Sequence, residues 1–391
     1  MRSFASGRWG SWASFALAVG LGLFVTACGS SSSSSTSSAT AAATSTGTAS
    51  TSSGTDLAAL QSAIAPYTKP PTSIGPTVPI TKPIPKGKKV VFINCGAPAC
   101  TDMQDSFDAA AAYLGWNVTN ITTSPTPQGI QASFAQAVRD APSAVVSSGF
   151  ALNQFPEQAK QLNAMKIPII MNTGTDPSTY DPSNGITLQL QPPPEVAQAT
   201  YLMADRAVID AGGKGEFGTV LLTGYPSVAN NVANFTARVK KVCSACTVQS
   251  ISIQPTSLGT NAASLIANFL RANPNIKGLY FGYADMAVGL SAATKGAGIA
   301  LPKMYAWAPD ADGVEQLQAG TMTAAVPLCY VETGWQFADA VARLLTGSSV
   351  KDSQPWQNYV LWSKQYGNVP TTVNNPPCIA DYKSQFTKLW H

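Results

Sequence analysis

Histidine is all but missing from this chain: the single one is His391, the last residue. Its absence elsewhere removes a histidine-based triad, a His-ligated metal centre and a histidine proton shuttle. Charge is scarce as well. Charged residues are 11% of the 391, with a formal net charge of +4, against about 25% in typical globular usage. No basic cluster interleaved with aromatics is present, so nucleic acid is not an expected partner. Gly-rich phosphate loops ahead of a helix are lacking, and neither Ser147-Ser148-Gly149 nor Gly224-Tyr225 forms a nucleophile elbow. Asp310 and Asp312 do pair two carboxylates, but after a strand such a loop more often caps the following helix. No catalytic residue, cofactor or metal is expected.

What is present begins with an export signal. Arg2 and Arg8 precede a mostly apolar run from Trp12 to Phe24, too short to span a bilayer comfortably. The run ends in Val25-Thr26-Ala27-Cys28, which resembles the lipobox of bacterial lipoproteins. That resemblance implies removal of residues 1–27 and a lipid on Cys28, placing the chain on the extracytoplasmic face of the cell membrane. From Gly29 to Thr55 almost every residue is Ser, Thr, Ala or Gly, which buries too little apolar surface to offset chain entropy. The expectation is a disordered tether.

Seven prolines follow between Pro66 and Pro85 and favour polyproline II, at about 3.1 Å per residue. The segment either holds the body off the membrane or packs along it, because Ile74, Val78, Ile80 and Ile84 are regularly interleaved. Past Lys86 about 300 residues remain, enough for two ordinary domains. Setting Cys28 aside from seven cysteines leaves an even number in an oxidising setting, hence three disulfides. Local spacing suggests Cys95 with Cys100 and Cys243 with Cys246, and elimination leaves Cys329 with Cys378. A redox role for Cys243-Ser-Ala-Cys246 is the sharper alternative, but the pair lacks the strand-to-helix context of a thioredoxin-like site.

From Lys88 onward, short β-branched runs alternate with helix-period segments, the pattern of a parallel sheet covered by helices. Strands are predicted at Val90–Asn94, Val118–Thr122, Ala144–Ser148, Ile167–Asn172 and Ile186–Leu190. The rhythm then repeats at Thr219–Thr223, Val248–Ile253, Leu279–Gly282, Met304–Ala308 and Ala324–Leu328. In the helix between, Ala262, Leu265, Ile266, Phe269 and Leu270 recur at i, i+3, i+4, i+7 and i+8. The fold class expected is α/β, two doubly wound parallel-sheet lobes joined by a multi-strand hinge, with a ligand cleft between facing strand C-termini. The division is residues 28–86 as tether and Pro-rich segment, 87–190 plus 331–348 as first lobe, and 191–330 plus 349–391 as second lobe and tail. Hinge crossovers are expected near Leu190–Pro193, Leu328–Val331 and Thr346–Lys351.

Several signposts carry a more specific likeness. Val90–Asn94, the Pro98 loop and a helix closing on Gly115-Trp116-Asn117 are one; Ala164-Met165-Lys166-Ile167-Pro168-Ile169-Ile170 is another. Asp285-Met286-Ala287-Val288-Gly289 and Asp312-Gly313 with Gly320 to Val326 complete them. Together they resemble the ribose- and galactose-type periplasmic binding proteins, of the type I fold, from Lys88 to about Ser349. The resemblance implies a monomeric substrate-binding lipoprotein serving an ABC permease. The alternative is a receptor component read by a membrane kinase or chemoreceptor, and an enzyme on the same scaffold is the least supported reading.

Departures from that family's sugar-reading positions are as informative. Its first-lobe aspartate is replaced by Asn172-Thr173, and its second-lobe arginine by Asn230-Asn231. Tyr283, Ala308 beside Trp307, and Leu328 replace an asparagine, an aspartate and a glutamine. Hydrogen bonds to charged groups contribute about 1.5–3 kcal/mol each, so losing several disfavours pentoses. A less polar, cyclic or aromatic ligand is expected, held among Phe150, Tyr283, Trp307 and Tyr330 with Asn172, Asn231 and Asp310 orienting it.

Overall fold

The computed structural model describes residues 54–124, 126–148, 150–172, 185–191, 193–354 and 359–390. The signal-like segment, Cys28, the Ser/Thr/Ala run up to residue 53, Thr173 and His391 therefore lie outside the described residues.

Ten strands form two sheets of the same design. The first contains β1 (Lys89–Asn94), β2 (Asn117–Thr122), β3 (Ala144–Ser148), β4 (Ile169–Asn172) and β5 (Leu188–Leu190), in the order β2-β1-β3-β4-β5. The second contains β6 (Gly215–Leu222), β7 (Cys246–Ile253), β8 (Ile276–Phe281), β9 (Lys303–Trp307) and β10 (Ala324–Val326), in the order β10-β9-β8-β6-β7. Reversed, the second order is again second-first-third-fourth-fifth, and every pairing is parallel. Each of the ten strands coincides with a segment predicted from β-branched runs, because central parallel strands are covered on both faces and read as unbroken apolar stretches. β3 and β4 are buried along their whole length, whereas the edge strands β2 and β7 are largely exposed.

The helices start and stop where local chemistry says they should. α2 (Pro98–Leu114) begins on a proline, whose missing N–H costs nothing there, and ends at Gly115 with φ 73°. Gly115 N–H and Trp116 N–H donate to the Ala112 and Ala111 carbonyls at 3.1 and 2.9 Å, the paired bonds of a Schellman motif. Of the helical pattern singled out for α7 (Ala262–Ala272), Ala262, Ile266 and Leu270 are buried, but Leu265 faces solvent.

Chain connections tie the lobes together. α5 (Pro193–Asp210) follows β5 and packs on β9, β10 and α6 (Pro226–Val242) of the second lobe. α10 (Tyr330–Thr346) follows β10 and packs closely on α2 of the first. A Cβ at Gly334 would stand 2.6 Å from the Phe107 nitrogen and 2.7 Å from the Met103 carbonyl, so only glycine permits that approach. Two backbone positions at the crossovers, Gln191 (φ 51°) and Cys329 (φ 52°), sit in the left-handed region without being glycine, a strain that persists only where surroundings enforce it.

The Pro-rich segment packs on the body. Ile74 and Ile80 are buried, Val78 is exposed, and Ile80 N–H donates to the Leu389 carbonyl at 2.8 Å. Ahead of it, α1 (Leu57–Ile64) lies on α5 with Leu60 and Ile64 buried, and Asp56 caps it by accepting from Ala59 N–H at 2.9 Å. Of the two courses open to the Pro-rich segment, its described residues take the one along the body. Asp56 as N-cap, with Leu57, Leu60 and Ile64 on one face, was the available signal for α1. In the tail, Trp362 bridges to Ala325 of β10, while α11 (Tyr382–Thr387) and Trp390 pack on α10.

Behind these contacts lies a fully buried ionic knot. Arg343 Nε donates to Asp339 Oδ2 at 2.7 Å, Ser353 Oγ donates to the same oxygen at 2.7 Å, and Trp390 Nε1 donates to Asp339 Oδ1 at 2.9 Å. Arg343 Nη2 reaches the Val78 carbonyl at 2.7 Å, so one knot holds the Pro-rich segment, α10 and the tail. Cys95–Cys100, Cys243–Cys246 and Cys329–Cys378 are bonded, the pairing that spacing suggested.

Candidate ligand cavity between the lobes

Strand C-termini from both sheets converge on one cavity of about 300 Å³, which is where open parallel sheets present ligand sites. The first lobe supplies the loop after β1, the start of α2 and the segment after β3; the second supplies the ends of β6 and β9 and the first turn of α6. Leu328 and Tyr330, at the β10–α10 crossover, complete the wall.

The first-lobe wall is set by short-range chemistry. Asn94 Oδ1 accepts from Gly96 N–H at 2.8 Å, turning the chain immediately after the strand. The Cys95–Cys100 bridge then fixes that turn to the first turn of α2, and both cysteines line the cavity. Phe150 meets Phe134 edge-on at 6.2 Å, and Phe134 stacks on Phe155 at 3.6 Å. The ring facing the cavity is therefore backed by a packed aromatic column.

The second-lobe wall carries most of the polarity. Tyr225, Tyr283, Asp285 and Trp307 all line the cavity. Tyr330 Oη donates to the Ala308 carbonyl at 2.9 Å, which orients its ring and accounts for one strained residue, Ala308 (φ 54°). Tyr283 Oη and Asp285 Oδ1 are buried atoms without a hydrogen-bond partner in the protein. Burial, reinforced by the neighbouring Asp310 carboxyl, pushes Asp285 well above the ordinary carboxylate range. Burial and the nearby Tyr330, Asp285 and Asp310 raise the Tyr283 phenol likewise.

Among the residues the sequence singled out, the structure brings Phe150, Tyr283, Trp307, Leu328 and Tyr330 together on the cavity wall. Asn172, Asn231 and Asp310 do not line it. Asn172 is fully buried at the end of β4, its Nδ2 3.2 Å from Met103 Sδ, so it supports a cavity-lining methionine from behind. Asn231 is buried inside α6 and accepts from Thr200 Oγ1 at 3.5 Å, because three further residues of helix turn it from the cleft toward α5. Asp310 caps α9 (Ala311–Ala319) by accepting from Gly313 N–H, the helix-capping role anticipated for it, and stands behind Asp285.

Sequence reasoning missed Asp285, Tyr225, Met103 and the disulfide as part of the wall. Tyr225, Asp285 and the two cysteines sit one to six residues after a strand and Met103 nine, in the second turn of α2, and counting from strand ends was the signal that could have found them. Cys329, Glu332 and Cys378 also lie close enough together to ligate a metal. With the two sulfurs bonded to each other, neither is a thiolate donor.

A sequence model of the periplasmic binding protein domain matches residues 89–349. Among solved structures, the chain is similar to an ABC-transporter solute-binding protein from Actinobacillus succinogenes 130z with bound D-allose. The identity is 14% and the TM-score 0.61, over 72% of this chain and 99% of that one. A solute-binding protein from Burkholderia graminis C4D1M in complex with D-arabinose is similar at 14% identity and TM-score 0.62, over 75% and 100%. The XylFII–LytSN complex is similar at 16% identity and TM-score 0.61, over 72% and 99%. No curated protein matches the chain.

Proposed function

Because the chain belongs to the periplasmic binding protein family, we propose that it is the substrate-binding lipoprotein of an ABC-type importer, lipid-anchored through Cys28 on the extracytoplasmic face. It captures a small, weakly polar cyclic or aromatic solute between its lobes and hands it, as a monomer, to a membrane permease. The observation that carries this reading is the cavity at the meeting of both sets of strand ends, walled by Phe150, Tyr283, Trp307 and Tyr330. Closure follows from the ligand touching both walls, since a solute shifts an open–closed equilibrium only by its differential affinity for the two states.

Thermal-shift screening of sugars against alicyclic and aromatic compounds tests the ligand class. Stabilisation by ribose or galactose alone would sink the weakly polar ligand. Native mass spectrometry of protein purified under oxidising conditions should find a co-purified small molecule. A Cys28→Ser chain should lose its lipid label and its membrane association; retention of either would remove the anchor.

A receptor role, in which closure is sensed by a membrane kinase or chemoreceptor, is the second reading. It draws support from the similarity to a binding-protein-like structure solved as a complex, XylFII–LytSN. Permease and ATPase genes beside this one would favour transport, and a sensor kinase gene alone would favour signalling.

A further inference from the structure

Among the described residues, the one ionisable acid lining the cavity is Asp285, and no lysine or arginine lines it. Its Oδ1 is buried and unpaired. Asp310 stands directly behind it, and Asp102, on α2 of the opposite lobe, feels the Asp310 charge as well. Acidic groups therefore approach one another from both lobes across the site, and burial with Asp310 alongside keeps Asp285 protonated near neutral pH while the cavity holds no cation. The rings of Tyr225, Tyr283, Trp307, Tyr330 and Phe150 line the same cavity.

A neutral polyol would stack on those rings but would leave Asp285 Oδ1 to a hydroxyl and the approach of the acids uncompensated. An anion would meet no cationic partner among the described residues of the wall and would hold the acids in their protonated form. A compact cation resolves both, since rings attract positive charge most strongly when desolvated, and a cation beside Asp285 favours loss of its proton to solvent, leaving a carboxylate that makes a charge-assisted contact. Resting on the solute-capture reading above, we propose that the cavity selects a small organic cation, a quaternary or protonated amine on an apolar body, held between the aromatic faces and Asp285. Its positive charge offsets the acids of both lobes and so favours closure over the open state.

The test is titration calorimetry on the full chain with choline, benzyltrimethylammonium, the neutral choline isostere 3,3-dimethylbutan-1-ol, and D-ribose. At least one cation is expected to bind tenfold or more tightly than the isostere. That advantage should collapse in Asp285→Asn and be kept in Asp285→Glu, with circular dichroism confirming that both variants fold. An unchanged advantage in Asp285→Asn overturns the inference, as does an isostere or ribose that binds at least as tightly as the cations, or failure of both cations to bind. The solute-capture reading fails separately. If ribose or another neutral solute binds and compacts the protein in small-angle scattering, capture stands while cation selection falls.

Discussion

The two lobes share strand order, helix placement and a parallel sheet, yet they contribute to the cavity in different ways. The first lobe presents a wall fixed covalently at Cys95–Cys100 and backed by stacked phenylalanines, with no charged group on it among the described residues. The second presents tyrosines, a tryptophan and an acid, of which Tyr283 Oη and Asp285 Oδ1 are buried without a hydrogen-bond partner within the protein. Repetition of a fold does not repeat its chemistry. One lobe offers a finished surface, and the other offers groups that a ligand must satisfy.

Their structural ion pairs differ too. Asp339–Arg343 in the first lobe is completely buried, whereas Arg238–Asp205 in the second leaves the arginine 22% exposed. The largest expected effect tests that contrast. Asp339→Ala strands a buried guanidinium and frees Ser353 and Trp390, and should destabilise the chain by about 3–5 kcal/mol. Asp205→Ala, which leaves its partner arginine access to water, should cost visibly less. Urea denaturation of both variants decides, and equal losses would erase the distinction between lobes.

Next in size is a pH effect at the first-lobe end of the crossover. Glu332 on α10 accepts from Ile379 N–H at 2.8 Å, and burial pushes its carboxyl up to about 7. An acid raised on folding binds more protons folded than unfolded. Its stabilising share is therefore whole below the unfolded value of about 4.3 and is lost as pH rises toward about 7. Glu332→Gln should flatten stability across that window, a change on the order of 3 kcal/mol. Denaturation midpoints at pH 4.5 and 7.5 measure it, and parallel profiles for variant and parent would refute the assignment.

Opening the Cys95–Cys100 clip as a Ser/Ser pair should cost about 2 kcal/mol for so short a loop, and should weaken ligand binding more than the same change at Cys243–Cys246, which lies away from the cavity. The smallest effect is expected at Val78→Ser on the exposed side of the Pro-rich segment. Its side chain is 47% exposed, so stability should move by no more than about 0.5 kcal/mol. A larger loss would mean that this segment anchors through more than Ile74, Ile80 and the Val78 carbonyl.

How much of this was legible in the sequence depends on range. The central strands were readable because a strand covered on both faces must be apolar throughout, a local property, and the exposed edge strands β2 and β7 by their β-branched residues alone. The cavity aromatics were legible as strand-end residues. Asn231 points away from the cavity because a few residues of helix change which way a side chain faces, and Asp310 because its carboxylate caps α9. The course of residues 54–86 and of the tail was not legible: their burial depends on partners some 260 to 310 positions distant, such as Arg343 for Val78 and Gln385 for Ile74.

The clip at the cavity mouth also bears on how ligands should be sought. Made in a reducing cytosol, the chain would carry free thiols at positions 95 and 100, and the turn they brace would fluctuate where a solute must dock. A compound library screened on such material would return false negatives concentrated among the weakest binders. Periplasmic or cell-free oxidative production, with a thiol count taken before the first titration, belongs at the head of the workflow.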